Sequence, residues 1–345
     1  MLTSVFLLLL SAGLIYLSCE YFVNAVEWVG VRLGVSQNAV GTVLAAFGTA
    51  LPESVVTFIA VAFGRDAQSR EIGVGAALGG PLVLATIAYA VIGIVHWLSF
   101  KKRPYVPVQR HTAVRLCHDQ AWFMVIFTCK VGVGLVAFAW KPLLGILFLA
   151  AYAIYVWREM RRADDDGDDG GPDGLALEPL RFQPRAASPA TRWVLLQTAV
   201  ALVVIFASSQ LFVHQLDSLG RLWQLSPQLV ALLLSPIATE LPEILNAVIW
   251  VRQGKYKLAL GNISGAMMIQ ATIPSALGMF FTPWILRPAL IWAAAVTMLS
   301  IAAVYLLFGR RAVRASDAEG IPATAIAALS LFYLLFVAGL FWLPA

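Results

Sequence analysis

Glu53 and Glu243 each close a six-residue segment, GTALPE (48–53) and ATELPE (238–243). In both, a proline precedes the carboxylate and a threonine stands four positions before it. Both segments fall in the middle of apolar stretches. A charged side chain at that depth in a bilayer costs about 2.5–3.5 kcal/mol, so an intramembrane acid calls for a functional reason. Four residues along a helix return to the same face, which lets Thr49 and Glu53, or Thr239 and Glu243, reach one ion together. Pro52 and Pro242 lack the donor that would hold the carbonyls of Gly48 and Ala238, which frees two more oxygens. All of these are hard oxygen donors, suited to calcium, sodium or a similar ion rather than to a soft metal. A purely structural role, with proline kinks and the glutamates paired to a basic residue such as Lys130, is the competing expectation.

The elements that must position these groups are transmembrane helices. The chain of 345 residues is 60% hydrophobic and only 12% charged. A spanning helix needs roughly 20 mostly apolar residues, and about ten such windows occur. They cover 2–19, 38–63, 72–99, 121–139, 142–157, 193–214, 227–251, 258–282, 288–308 and 322–343. The first lacks a basic flank and a cleavage site, and is expected to be retained. Most of the 24 Lys and Arg residues fall in or beside loops that follow odd-numbered windows, for example Arg103, Arg158, Arg161 and Arg252. That asymmetry predicts a cytoplasmic face for these loops and an extracytoplasmic position for both termini, in a multi-pass inner membrane protein. Tryptophans near window ends, including Trp97, Trp140, Trp157, Trp284 and Trp342, fit interfacial anchors.

Residues 158–192 interrupt this pattern with Gly, Pro and a run of aspartates from Asp164 to Asp169. The composition predicts a solvated cytoplasmic linker, and an EF-hand is excluded because no glutamate closes the loop. On either side the sequence repeats. At an offset of 190, Phe22 meets Phe212, and Thr49, Leu51, Pro52 and Glu53 meet Thr239, Leu241, Pro242 and Glu243. After a shortened loop, Gly75 meets Gly261 and Gly79 meets Gly265. The halves are therefore 1–157 and 193–345. Five windows in each make the repeat inverted, an arrangement of secondary transporters whose site lies at the midplane on interrupted helices. The expected fold class is an all-α membrane protein of ten transmembrane helices in two inverted five-helix repeats.

With both motifs on the page, the chain resembles the sodium/calcium exchanger, or cation/calcium antiporter, superfamily, whose repeats carry a GTSLPE-like sequence. The resemblance extends over nearly the whole chain and implies that Thr49, Glu53, Thr239 and Glu243 bind transported cations. It also implies that helices 1 and 6 move against a core of helices 2, 3, 7 and 8. Where family members usually have Ser after the motif Thr, this chain has Ala50 and Glu240. The ligand-bearing segments of the third and eighth windows carry Gly80 and Leu84, and Ala266 and Gln270. The cation set implied is Glu53, Glu243, Thr49, Thr239, Glu240 and Gln270, with the second half the more polar.

The expected function is secondary active antiport of calcium against sodium by alternating access. Calcium/proton or other cation/proton exchange is the alternative, because Glu240 and Glu243, three apart, repel each other in a dry pocket that holds no cation. A non-transporting cation sensor or scaffold is a reading from another class. The expected partners are calcium, a coupling monovalent cation and membrane lipid, with no nucleic acid and no resident cofactor. No Walker A loop and no assembled nucleophile, base and orienting group point to an enzyme.

Overall fold

The computed structural model describes residues 2–35, 39–63, 67–100, 103–136, 140–165, 177–222, 233, 235–313 and 320–342. Among them, seven helical stretches are long and apolar enough to cross a bilayer. The first is α1 (Leu2–Leu33), followed by a π-helical turn at Val40–Ala45 leading into α2 (Ala46–Phe63). Next come α3 (Ala67–Val83), a second π-helical turn at Leu84–Ala88 and α4 (Tyr89–Ser99). α5 (Arg110–Leu135) and α6 (Lys141–Asp165) complete the first half. The second half holds α7 (Thr191–Leu222), α8 (Ser235–Thr239), α9 (Leu241–Arg252), α10 (Tyr256–Phe281) and α11 (Pro288–Val313). Two shorter helices, α12 (Ala323–Ala327) and α13 (Ser330–Leu340), follow. A two-residue ribbon, β1 (Tyr105–Val106) with β2 (Ile321–Pro322), ties the loop after α4 to the start of α12.

α1 is longer than its apolar window, because Glu20, Asn24 and Glu27 lie within the helix. Hydropathy counts polar residues but not their partners. Glu27 accepts from Trp250 Nε1 at 3.0 Å and from Lys255 Nζ at 2.8 Å, so its carboxylate is paired where α1 meets the end of α9. The helix stops only at Gly34, whose φ of 64° is the left-handed conformation that glycine takes without a Cβ penalty. The amide of Val35 then closes on the Gly30 carbonyl at 3.1 Å, as in a Schellman cap. α1 and α7 are both 32-residue helices. With a rise of about 1.5 Å per residue, each extends about 48 Å, well beyond a hydrocarbon core of about 30 Å. These two long helices lie along one another, and α1 also contacts α9.

α10 occupies the centre. It touches α2, α3, α5, α6 and α9, and most of its residues from Leu258 to Met279 are buried. Glycines permit this: a Cβ on Gly265 would overlap the backbone of Thr42 in the first π-helical turn, and one on Gly41 would come within 3.0 Å of the Leu258 carbonyl.

Two expectations require correction. Trp284 is not an interfacial anchor: it is fully buried, and its Nε1 donates to the Lys130 carbonyl at 3.1 Å. The stretch after window five is not uniformly solvated either. α6 continues to Asp165, and the described part of the stretch, from 177, folds onto α1 with Leu180 fully buried. The rest of the aspartate run, Asp166, Asp168 and Asp169, lies outside the described residues. Asn24 holds the contact by donating to the carbonyls of Glu178 and Pro179 at 3.3 and 3.2 Å and accepting from the Arg181 amide at 3.1 Å. Gln197 of α7 joins it through a 3.0 Å bond. Asn24→Ala strands these groups and is expected to cost about 1–3 kcal/mol. A lowered thermal midpoint, together with faster proteolysis between 177 and 190, checks this.

Candidate functional site

The ATELPE segment straddles a helix break rather than lying within one helix. α8 ends at Thr239, Glu240 adopts φ −86° and ψ 4°, and α9 begins at Leu241 with Pro242 in its first turn. Proline at that position loses nothing, since the first amides of a helix have no intrahelical acceptor. Glu243 sits in the first turn of α9, where the positive end of the helix dipole favours a carboxylate. Glu240 is fully buried and Glu243 is 1% exposed, so two acids flank the break inside the protein. Thr239 is half-buried and turns its hydroxyl back to the Pro236 carbonyl at 3.2 Å.

Glu240 occupies the turn before α9, three residues ahead of Glu243. Its Oε1 accepts a 2.7 Å hydrogen bond from Gln270 Nε2, at the middle of α10. Gly80 of α3 completes the arrangement. A Cβ there would lie 2.6 Å from Glu240 Oε1 and 3.0 Å from Gln270 Cδ. The absent side chain on α3 is thus matched by two side chains that enter its space from α10 and the helix break. Ala266 and Leu84 are also buried but bring no polar group.

The first motif lies in a helix that runs on through Pro52. Thr49 is buried on α2 and donates to the Ala45 carbonyl at 3.1 Å, one turn back. Glu53 follows one turn later on α2; its side chain lies outside the described residues.

Sequence reasoning missed Asn246. It stands three residues after Glu243 and is fully buried, and neither its Oδ1 nor its Nδ2 has a hydrogen-bond partner among the described residues. A polar residue at i+3 from a buried acid was the available signal. Asn262 donates to the Glu243 carbonyl at 3.4 Å, leaving its own Oδ1 unmatched, as is Oε1 of Gln270. Buried amide oxygens are rarely left without a donor, and a cation satisfies them as well as a hydrogen does. Gln270 and Asn262 of α10 thus each meet the break segment through their side-chain amides, and Asn246 stands one turn further along α9.

The sequence profile of the family described as sodium/calcium exchanger protein matches residues 3–160 and 193–342. The chain belongs to the sodium/calcium exchanger protein family. The profile leaves out 161–192, the acidic and Pro-rich stretch that divides the two halves. Among its relatives, inner membrane protein YrbG of Escherichia coli (strain K12) is 24% identical over 347 residues, spanning 99% of this chain and 98% of the relative. Sodium/calcium exchanger MaX1 of Methanosarcina acetivorans is 23% identical over 367 residues, spanning 99% and 100%. A solved structure of the sodium-calcium exchanger NCX_Mj superposes with a TM-score of 0.73 over 99% of both chains at 18% identity, a likeness of fold.

As an exchanger-family membrane protein, the chain also carries a polar group on the opposite flank of α10. Ser264 donates to Asp119 Oδ2 at 3.2 Å, and Gln120 donates to Ser264 Oγ at 3.2 Å and to the Tyr89 hydroxyl at 2.8 Å. These bonds join α4, α5 and α10. They explain why α5 tolerates buried Asp119 and Gln120 in an apolar environment.

Proposed function

We propose that this chain is a secondary active antiporter that moves calcium across the inner membrane in exchange for sodium by alternating access. The observation that carries the reading is the pair of buried acids at a helix break, Glu240 at the break itself and Glu243 in the first turn after it, within a family of exchangers. Calcium takes six to eight oxygens at about 2.3–2.6 Å. Glu243, Glu240, Gln270, Thr239 and Thr49 would supply them, with Glu53 of α2 as the equivalent acid of the first motif. Ten spans in two inverted halves, 1–157 and 193–345, would put both motifs at the midplane. Residues 158–192 would be cytoplasmic and both termini extracytoplasmic. α1 and α7, long and laid against each other, are suited to move as a pair over the core of α2, α3, α9 and α10. Ion binding neutralises the acids and removes the cost of carrying them through an occluded state.

Proton coupling is the second reading, favoured by the missing neutral oxygens at Ala50, Gly80 and Ala266. Fewer neutral ligands leave less for sodium ions to bind. Proteoliposomes loaded with calcium separate the two. Outward sodium replacement at constant pH is expected to drive uptake or release at least about tenfold faster than a matched potassium gradient, a preference worth about 1.4 kcal/mol. Equal rates in sodium and potassium, with a response to a pH step, would assign the proton. Calcium binding with no flux under any gradient would leave a sensor.

A further inference from the structure

Lys130 lies fully buried in α5. It donates to the Ala77 carbonyl of α3 at 2.6 Å and to the Gln270 carbonyl of α10 at 3.2 Å. The ring of Phe127, one turn back on α5, lies 5.2 Å from Nζ.

These two carbonyls have something in common that the sequence explains. In an α-helix the carbonyl of residue i accepts from the amide of residue i+4. Four residues after Ala77 stands Pro81, and four after Gln270 stands Pro274, both inside their helices. Proline has no amide hydrogen, so each carbonyl is left without its helical donor. Two proline-freed oxygens on two helices and an aromatic face are groups that attract a desolvated cation.

We propose that Lys130 is a tethered cation, its ammonium filling a monovalent-cation site that α3 and α10 build from the carbonyls of Ala77 and Gln270. The location links this site to the acids at the helix break. Gln270 receives Lys130 on its backbone oxygen and holds Glu240 through its side-chain amide, while Gly80, in the same turn as Ala77, makes room for Glu240. When protonated, Lys130 places a positive charge behind Glu240 that offsets part of the negative charge on the acids. Under the antiporter reading above, on which this consequence rests, it replaces one coupling cation. The cycle then carries one monovalent ion fewer per turn than it would with an uncharged residue at 130.

The test uses the full-length protein, purified and reconstituted, with Lys130→Ala, which empties the site, and Lys130→Met, which fills the stem without charge. Thermal midpoints are titrated with sodium, potassium and methylammonium at fixed ionic strength. Lys130→Ala is expected to show a saturable rise with sodium or methylammonium that the wild type and Lys130→Met lack. In proteoliposomes its calcium flux should depend on sodium with a steepness increased by one ion. Should the alanine variant fail to fold, Lys130→Met is compared alone and in a Pro81→Ala, Pro274→Ala background. Restored amides should make the loss of Lys130 milder there. Midpoints of Lys130→Ala indifferent to all three cations, or a Met penalty undiminished in the proline-free background, overturn the proposal. A protein with no flux under any gradient whose Lys130→Ala variant is nonetheless stabilised by sodium retains the tethered cation and refutes the antiporter reading instead.

Discussion

Glu243→Gln is expected to lower gradient-driven calcium flux by at least about 100-fold while leaving the protein folded. The amide keeps the shape of the side chain and its place in the first turn of α9. What it removes is one unit of charge in a buried site. Two unit charges about 4 Å apart at an effective dielectric near 20 attract by about 4 kcal/mol, and a divalent ion roughly doubles that. Half of the divalent figure, left after the gain from not having to desolvate the acid, is about 4 kcal/mol and exceeds the energy of about 2.8 kcal/mol that makes a 100-fold change in affinity. Initial rates of calcium uptake into proteoliposomes, with the variant's thermal midpoint as the folding control, measure it. Flux within about threefold of the parent would remove Glu243 from the transport path. Glu53→Gln is predicted to act in the same direction, as the equivalent acid of the first half.

The recurrence of threonine, leucine, proline and glutamate at the same spacing in two halves was legible because it needs only a sequence repeat. The mostly helical architecture was legible from the apolar windows. Three features were not. GTALPE and ATELPE share their proline, yet α2 runs through it while the second motif breaks two residues before it, at Glu240. The difference lies in Glu240, whose side chain leaves the helix axis to meet Gln270, a partner 30 residues away. Gly80 read as a missing ligand, and only packing shows that its empty place is filled from two other helices. The length of α1 was hidden because Asn24 and Glu27 look like a helix end until Gln197, Lys255 and Trp250 are set beside them. In each case local sequence defines what a residue can do, and a contact distant in sequence decides which of those options is used.

Gly80→Ala turns the last contact at the break into a measurement. The added methyl would begin 2.6 Å from Glu240 Oε1, well inside van der Waals contact, and 3.0 Å from Gln270 Cδ. Both neighbours are ends of side chains, so they yield before the backbone does and the fold should survive with little loss of stability. The cost falls on the site: Glu240 must rotate away, its bond to Gln270 breaks, and a hydrogen bond to a charged group worth about 1.5–3 kcal/mol is lost. Calcium affinity is therefore expected to fall about 10- to 100-fold. A double-mutant cycle with Glu240→Ala separates this from a general disturbance, because residues in contact show non-additive effects. With the carboxylate already removed, only the end of the Gln270 side chain, 3.0 Å away, has to give way, and Gly80→Ala should change affinity by less than about threefold. Full additivity of the two substitutions would mean that α3 and the helix break act independently, and that Glu240 does not occupy the place left open on α3.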